Sequence, residues 1–146
     1  MTAEHNKQIV KQLFEDAINR HKPALFDALI SAEYVGPAGD RGPAAFAAVI
    51  GALTTGFPDI QYRLEDVFGG DDRVAVRWTW SGTHTGRFRE FAATNRPVTN
   101  AGMAIFELRD GKIVRQWLET DRLGFLQAMG VVSPELGKPP QPAARR

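Results

Sequence analysis

The segment VTNAGMAIFELRDGKIVRQWLE, residues Val98–Glu119, sets the architecture of this chain. Val98 to Leu108 reads as one long strand. Asp110-Gly111 is a two-residue turn signal, because these residue types tolerate the positive φ that a tight hairpin demands. Lys112 to Glu119 then returns antiparallel. With that turn, Leu108 faces Ile113, Phe106 faces Arg115, Ala104 faces Trp117 and Gly102 faces Glu119. Opposed residues share a face, so Asn100 and Asp121 extend the Ala104/Trp117 side. Small residues opposite a large indole predict a hollow on that face. A single extra residue in either arm would reverse the assignment.

Upstream of the hairpin the same period of two recurs. Ile60, Tyr62 and Leu64 alternate with polar residues, GGDD at 69–72 is a turn, and Val74, Val76, Trp78 and Trp80 form the apolar face of a half-buried strand. Gly82 to Pro97 is a longer connection. Before Pro58 the period is helical. Ala3 to His21 carries Ile9, Val10, Leu13, Phe14, Ala17 and Ile18 in one stripe, with Thr2 placed to cap it. A second helix is expected over Pro23–Ser31 and a third from Pro43 to about Gly56. YVGPAGDRGP interrupts them. Leu123, Leu126 and Met129 suggest a short closing helix that Gly130 ends. Helices first and hairpin-paired strands afterwards give an α+β fold, with three N-terminal helices packed on a curved antiparallel sheet and a short C-terminal helix. One domain over residues 1–131 is expected, followed by a disordered tail over 132–146 that holds no aromatic residue.

Composition removes several function classes. The net charge is +1 with no basic run, so no nucleic-acid partner is expected. There is no cysteine, which excludes disulfides and thiolate chemistry. His5, His21 and His84 are too dispersed for a metal site. No apolar span suits a membrane or a secretory signal, so a cytoplasmic protein is expected. No G-x-S-x-G, Walker A or G-x-G-x-x-G motif occurs.

The stretch from Gly82 to Asp121 resembles the SnoaL-like polyketide cyclases of the nuclear-transport-factor-2-like (NTF2-like) superfamily. Carrying motifs are Gly82-Thr-His-Thr-Gly86 with Phe88, Ala93-Thr94 before Pro97-Val98, Asp110-Gly111-Lys112-Ile113, and Trp117 with Asp121. The three-helix opening and the closing GFLQAMG extend the likeness to roughly Lys7–Gly130. The resemblance implies a cone-shaped fold, a homodimer packed through the sheet, and no cofactor. It also implies a pocket for an apolar, carbonyl-bearing small molecule, with the acid at Asp121 exchanging protons in an intramolecular aldol closure or an isomerisation. Relatives often place His or Asn soon after a Tyr-Val pair. Here Tyr34-Val35 is followed by Gly36-Pro37.

Two readings of Asp121 stand side by side. A carboxyl beside Trp117 in a dry hollow would have a raised pKa suited to acid/base exchange. The same residue directly precedes Leu123–Leu126, where an Asp commonly caps a helix. His84, on the parity of Trp78 and Trp80, is the candidate second proton carrier. Asn100 is the candidate donor to a developing oxyanion. Trp117, Trp78, Trp80, Phe106 and Tyr34 are candidate pocket walls, and Glu119 is a candidate rim charge. The rival to an enzyme is a non-catalytic binder on the same scaffold. An epoxide-hydrolase- or isomerase-like site finds only Arg63-Leu64-Glu65 and the two tyrosines to build on.

Overall fold

A computed structural model describes residues 2–139. Helix α1 runs over Ala3–Gln12 and continues as a π-wound segment, Leu13–Ile18. Thr2 caps it as expected, its hydroxyl accepting from the His5 N–H at 3.1 Å. The wider winding lets Asn19 N–H reach the Phe14 carbonyl. Asn19 then grips the edge of the sheet: its Nδ2 donates to the Tyr62 carbonyl and its Oδ1 accepts from Tyr62 N–H. These bonds fix how the first helix lies across the strands. Helix α2 is only Leu25–Leu29, and α3 is Pro43–Gly56 with its proline in the first turn, where a missing N–H costs nothing.

The five strands are β1 (Ile30–Val35), β2 (Gln61–Gly70), β3 (Arg73–Thr83), β4 (Pro97–Arg109) and β5 (Lys112–Thr120), in the spatial order β1-β5-β4-β3-β2. Helix α4 spans Arg122–Ala128. The expected antiparallel sheet is therefore mixed, because β1 pairs with β5 in parallel. Where a helix was expected through Ser31, the chain turns extended at Ile30, and Ile30 and Tyr34 are both buried. Residues 133–138 make turns whose carbonyls accept from the Gln127 amide. The remainder of the expected disordered tail, 140–146, lies outside the described residues.

The core is one layer of side chains between the helices and the inner face of the sheet. Phe14 sits at its centre, 5.3 Å from both Tyr62 and Trp78 and 6.0 Å from Phe106. Phe26, Phe46 and Tyr34 form a second aromatic group beneath α3. No helix among the described residues is long and apolar enough to cross a membrane.

Candidate functional site

The β4–β5 hairpin closes as its sequence demands. Asp110 and Gly111 have φ of 51° and 78°, and Arg109 pairs with Lys112. One residue later the register departs from the expected one. Leu108 pairs with Ile113, but Glu107 pairs with Arg115, so Val114 is an extra residue in β5. Ile113 and Val114 are both buried. Beyond this bulge Phe106 faces Gln116, Ile105 faces Trp117, Ala104 faces Leu118 and Met103 faces Glu119. Every residue of β5 after the bulge is thus on the opposite face from the one expected.

The bulge moves two candidate residues out of the interior. Trp117 lies on the outer face, where the Arg73 and Arg115 guanidinium groups stack on its ring at 4.8 and 4.7 Å. Glu119 is exposed on that face beside Met103. The expected hollow opposite Gly102 and Ala104 is also filled. A Cβ placed on Gly102 would stand 2.6 Å from Trp78 Cζ2, so the indole itself occupies the space above the glycine. An acid beside a tryptophan in a dry pocket is not what the hairpin builds.

Asp121 follows β5 and caps α4. Its Oδ1 accepts from the Gly124 N–H at 2.8 Å, and its side chain is exposed. A side chain at position 124 would collide with the carboxylate, so the glycine is what lets the cap close. Asn100 is buried on the inner face and donates through Nδ2 to the Asp121 carbonyl at 2.8 Å, while Asp121 N–H donates to Ala101 O. The start of α4 is held on both sides by β4.

His84 is a buried polar group just past the end of β3. It follows β3 directly, and its backbone is fixed by Arg96 O and Asn95 N–H. Its side chain is 0% exposed and stacks on Phe57, with ring centroids 5.0 Å apart. Nδ1 lies 2.9 Å from Thr94 Oγ1, and Nε2 has no hydrogen-bond partner among the described residues. Loss of hydration pushes this imidazole below the usual histidine pKa, so the ring is neutral near pH 7. Phe57 in turn packs against Trp80, Phe88 and Phe125, with ring centroids 5.1, 6.1 and 5.6 Å away. Gly86 makes this packing reachable: any Cβ there would strike the Thr55 carbonyl at the end of α3. Only glycine lets the loop lie this close and press Phe88 onto Phe57.

A second polar pair lies deeper. Tyr34 Oη donates to Gln116 Oε1 at 2.9 Å, and both residues are buried. Burial, helped by Asp40, holds the phenol well above its ordinary pKa, so it stays a neutral donor. Phe106 is buried on the same inner face. The interior therefore joins Tyr34, Trp78, Trp80, His84, Asn100 and Phe106, leaves Asp121 at the rim, and excludes Trp117 and Glu119. Gln116, Thr94, Phe57 and Phe125 are neighbours the sequence did not single out. Gln116 was hidden by the bulge. Thr94 and Phe125 stood within motifs already noticed, but their partners are distant in sequence.

On the outer face, the row Phe68–Ala75–Ile105–Trp117 crosses four strands. Phe68 is 67% and Ile105 42% exposed. Rows of charge flank it, Asp66–Arg77 with Met103–Glu119 on one side and Arg73 with Glu107–Arg115 on the other. A hollow of about 530 Å³ lies on this face between Ile105, Trp117 and the Gly36-Pro37 corner. No group of three or more His, Asp or Glu side chains able to hold a metal occurs among the described residues.

Comparison with known proteins agrees with this architecture. The family model for SnoaL-like polyketide cyclase matches residues 8–129. No curated protein matches the chain in sequence. Among solved structures, TsrD from Streptomyces laurentii is 25% identical with a TM-score of 0.82, over 90% of this chain and 99% of that one. IdmH from Streptomyces antibioticus, described as a candidate polyketide cyclase, is 26% identical with a TM-score of 0.76, over 86% and 98%. A candidate polyketide cyclase from Acidithiobacillus ferrooxidans shares the fold at 22% identity, with a TM-score of 0.78 over 90% and 99%. The chain belongs to the SnoaL-like polyketide cyclase family and has its NTF2-like fold.

Proposed function

We propose that this protein binds an apolar, carbonyl-bearing small molecule, of the polyketide kind, at the His84 end of the cone and moves a proton on it without a cofactor. The observation that carries the reading is His84 itself: a dry, neutral imidazole with one nitrogen steadied by Thr94 and the other without a partner among the described residues. A neutral imidazole accepts a proton from an activated carbon and can return it to a carbonyl oxygen, which is the exchange an aldol closure or isomerisation needs. Asn100 has a second amide hydrogen beyond the one bonded to Asp121, and that hydrogen is the candidate donor to a developing oxyanion. Asp121 keeps its second carboxylate oxygen at the rim as a relay to solvent. Trp78, Trp80, Phe106 and Tyr34 supply the walls.

Deuterium exchange tests this reading. A β-keto ester probe in D₂O exchanges its activated hydrogen, and NMR follows the rate. His84→Gln is expected to slow the protein-catalysed exchange by about 10²–10⁴-fold. Equal rates for the two proteins would end the proton-carrier role. A second reading, a non-catalytic binder, is favoured by the cap that ties up Asp121. It predicts binding of the probe with no acceleration of exchange in the wild type.

The same proposal includes a cytoplasmic homodimer joined through the outer face of the sheet. The apolar row Phe68–Ala75–Ile105–Trp117, bordered by charges of both signs, is the surface that supports it.

A further inference from the structure

One aromatic ring joins α4 to the cluster around Phe57. Phe125, on α4, packs against Phe57 at 5.6 Å, Trp80 at 5.7 Å and Phe88 at 5.3 Å. Two of these contacts are edge-on, the geometry preferred between an aromatic guest and an aromatic wall. Phe57 is shared: its ring packs against Phe125 and also stacks on His84. The Nε2 atom of His84 is fully enclosed and meets no donor or acceptor among the described residues. A buried ring nitrogen left without a partner is a cost that native structures rarely carry without a use.

The helix that holds Phe125 is short. It has seven residues and none of them is buried. Its first turn is pinned by Asn100, Ala101 and its own Asp121 cap, and its far end is anchored by Met129, which is fully buried. Phe125 lies between these two anchors and is only partly buried, so its ring can swing out of the cluster by side-chain rotation while the helix ends stay in place.

We propose that Phe125 is a built-in substitute for a ligand ring: it fills the aromatic box of Phe57, Trp80 and Phe88, whose Phe57 wall also stacks on His84, and a ligand enters by displacing it as its side chain swings out. This inference rests on the proposed site at His84. The incoming molecule has a flat aromatic ring, to replace Phe125 between Trp80 and Phe88, and a hydroxyl or carbonyl group to engage Nε2. Because binding must first expel the plug, apparent affinity is reduced by the fraction of molecules that are open. An open population of about 1–10% lowers affinity ten- to a hundredfold.

The probe is 2-naphthol, which has both features, and the readout is quenching of tryptophan emission in stopped-flow and at equilibrium. Phe125→Ala is expected to bind it about ten- to a hundredfold more tightly and with a faster on-rate than the wild type. Phe125→Leu, which keeps apolar bulk, is the second variant if alanine unfolds the helix, and it is expected to fall between the two. In the wild type, hydrogen exchange is read at the Phe125 and Met129 amides, which donate to the Asp121 and Phe125 carbonyls. Saturating 2-naphthol is expected to speed their exchange. Equal affinity and on-rate in wild type and both variants would overturn the plug, as would slower exchange in α4 on binding. Adding His84→Phe separates the two ideas. If it cancels the gain of Phe125→Ala, plug and site stand together. If the gain survives, the plug stands and the role proposed for His84 falls.

Discussion

Gly102→Ala is a stringent test of whether the inner face of the sheet is packed or hollow. The added Cβ would lie 2.6, 2.7 and 2.8 Å from three atoms of the Trp78 indole. Comfortable carbon contacts are about 3.5–4.0 Å, so the ring must retreat by about 1 Å. It has little room to do so. Trp78 is 4% exposed, with Phe14 at 5.3 Å and Tyr62 at 5.9 Å. Overpacking of this kind costs about 1–3 kcal/mol. Three contacts under 3 Å put the cost in the upper half of that range. Relief of backbone entropy on replacing glycine returns about 0.4–1 kcal/mol, leaving a net loss of about 1–2.6 kcal/mol. For a domain of this size each kcal/mol lowers Tm by about 2–4 °C. Urea denaturation should therefore show a lower midpoint at unchanged m-value, and thermal melts a matching fall. Trp78→Phe, by shortening the ring, should make the same alanine nearly harmless. A Gly102→Ala protein as stable as the wild type, within about 0.5 kcal/mol, would refute the packing argument and restore the hollow.

Three other outcomes follow from the site. The folded-state pKa of His84 lies below its ordinary value of 6.5 because of lost hydration, so the unfolded chain binds the proton more readily. Its contribution to stability is complete above that value and declines as pH falls through and below it; His84→Gln should flatten this part of the stability–pH curve. The Asp59 carboxylate, held low chiefly by the Thr83 N–H, acts in a separate window below its ordinary 3.8. Asp121→Ala should cost about 1 kcal/mol in denaturant melts through loss of the α4 cap, while Asp121→Asn, which keeps an acceptor for Gly124 N–H, should cost less than half of that. Ile105→Lys, which sets a charge in the exposed apolar row, should break the proposed dimer in sedimentation velocity without lowering the helical signal; a wild type that is monomeric, or a variant that stays dimeric, would refute this interface.

Much of the fold was legible because its signals are local. The Asp110-Gly111 turn, the alternation in β2, β3 and β4, the proline that opens α3 and the caps at Thr2 and Asp121 each follow from a few adjacent residues. β1 was missed because its six residues sit between a helix and a Gly/Pro-rich corner, and its partner lies far along the chain. The extra residue in β5 was invisible because Ile113 and Val114 are both apolar and either could have faced inward. That one slip exchanged Trp117 for Gln116 at the inner face, and with it the expected character of the site. Whether small residues leave a void depends on what folds back from elsewhere, and here it is Trp78 that returns to cover Gly102. Family resemblance could supply the shape but not this detail, since a bulge in one strand alters neither the motifs nor the element order.

The parallel ladder between β1 and β5 joins Ile30 to Ile113 and Val35 to Arg115, so a strand made early waits for one made late. During synthesis, the first three helices and the β2–β3–β4 meander can all have left the ribosome while one edge of the sheet is still unclosed. Until the last hairpin arm emerges, the Tyr34 hydroxyl has no amide to meet and the aromatic group under α3 faces water. Completion of this domain is thus tied to nearly the whole length of its translation, and a ribosome stalled between Arg109 and Thr120 would hold a nascent chain with a sticky, unfinished flank for chaperones to cover.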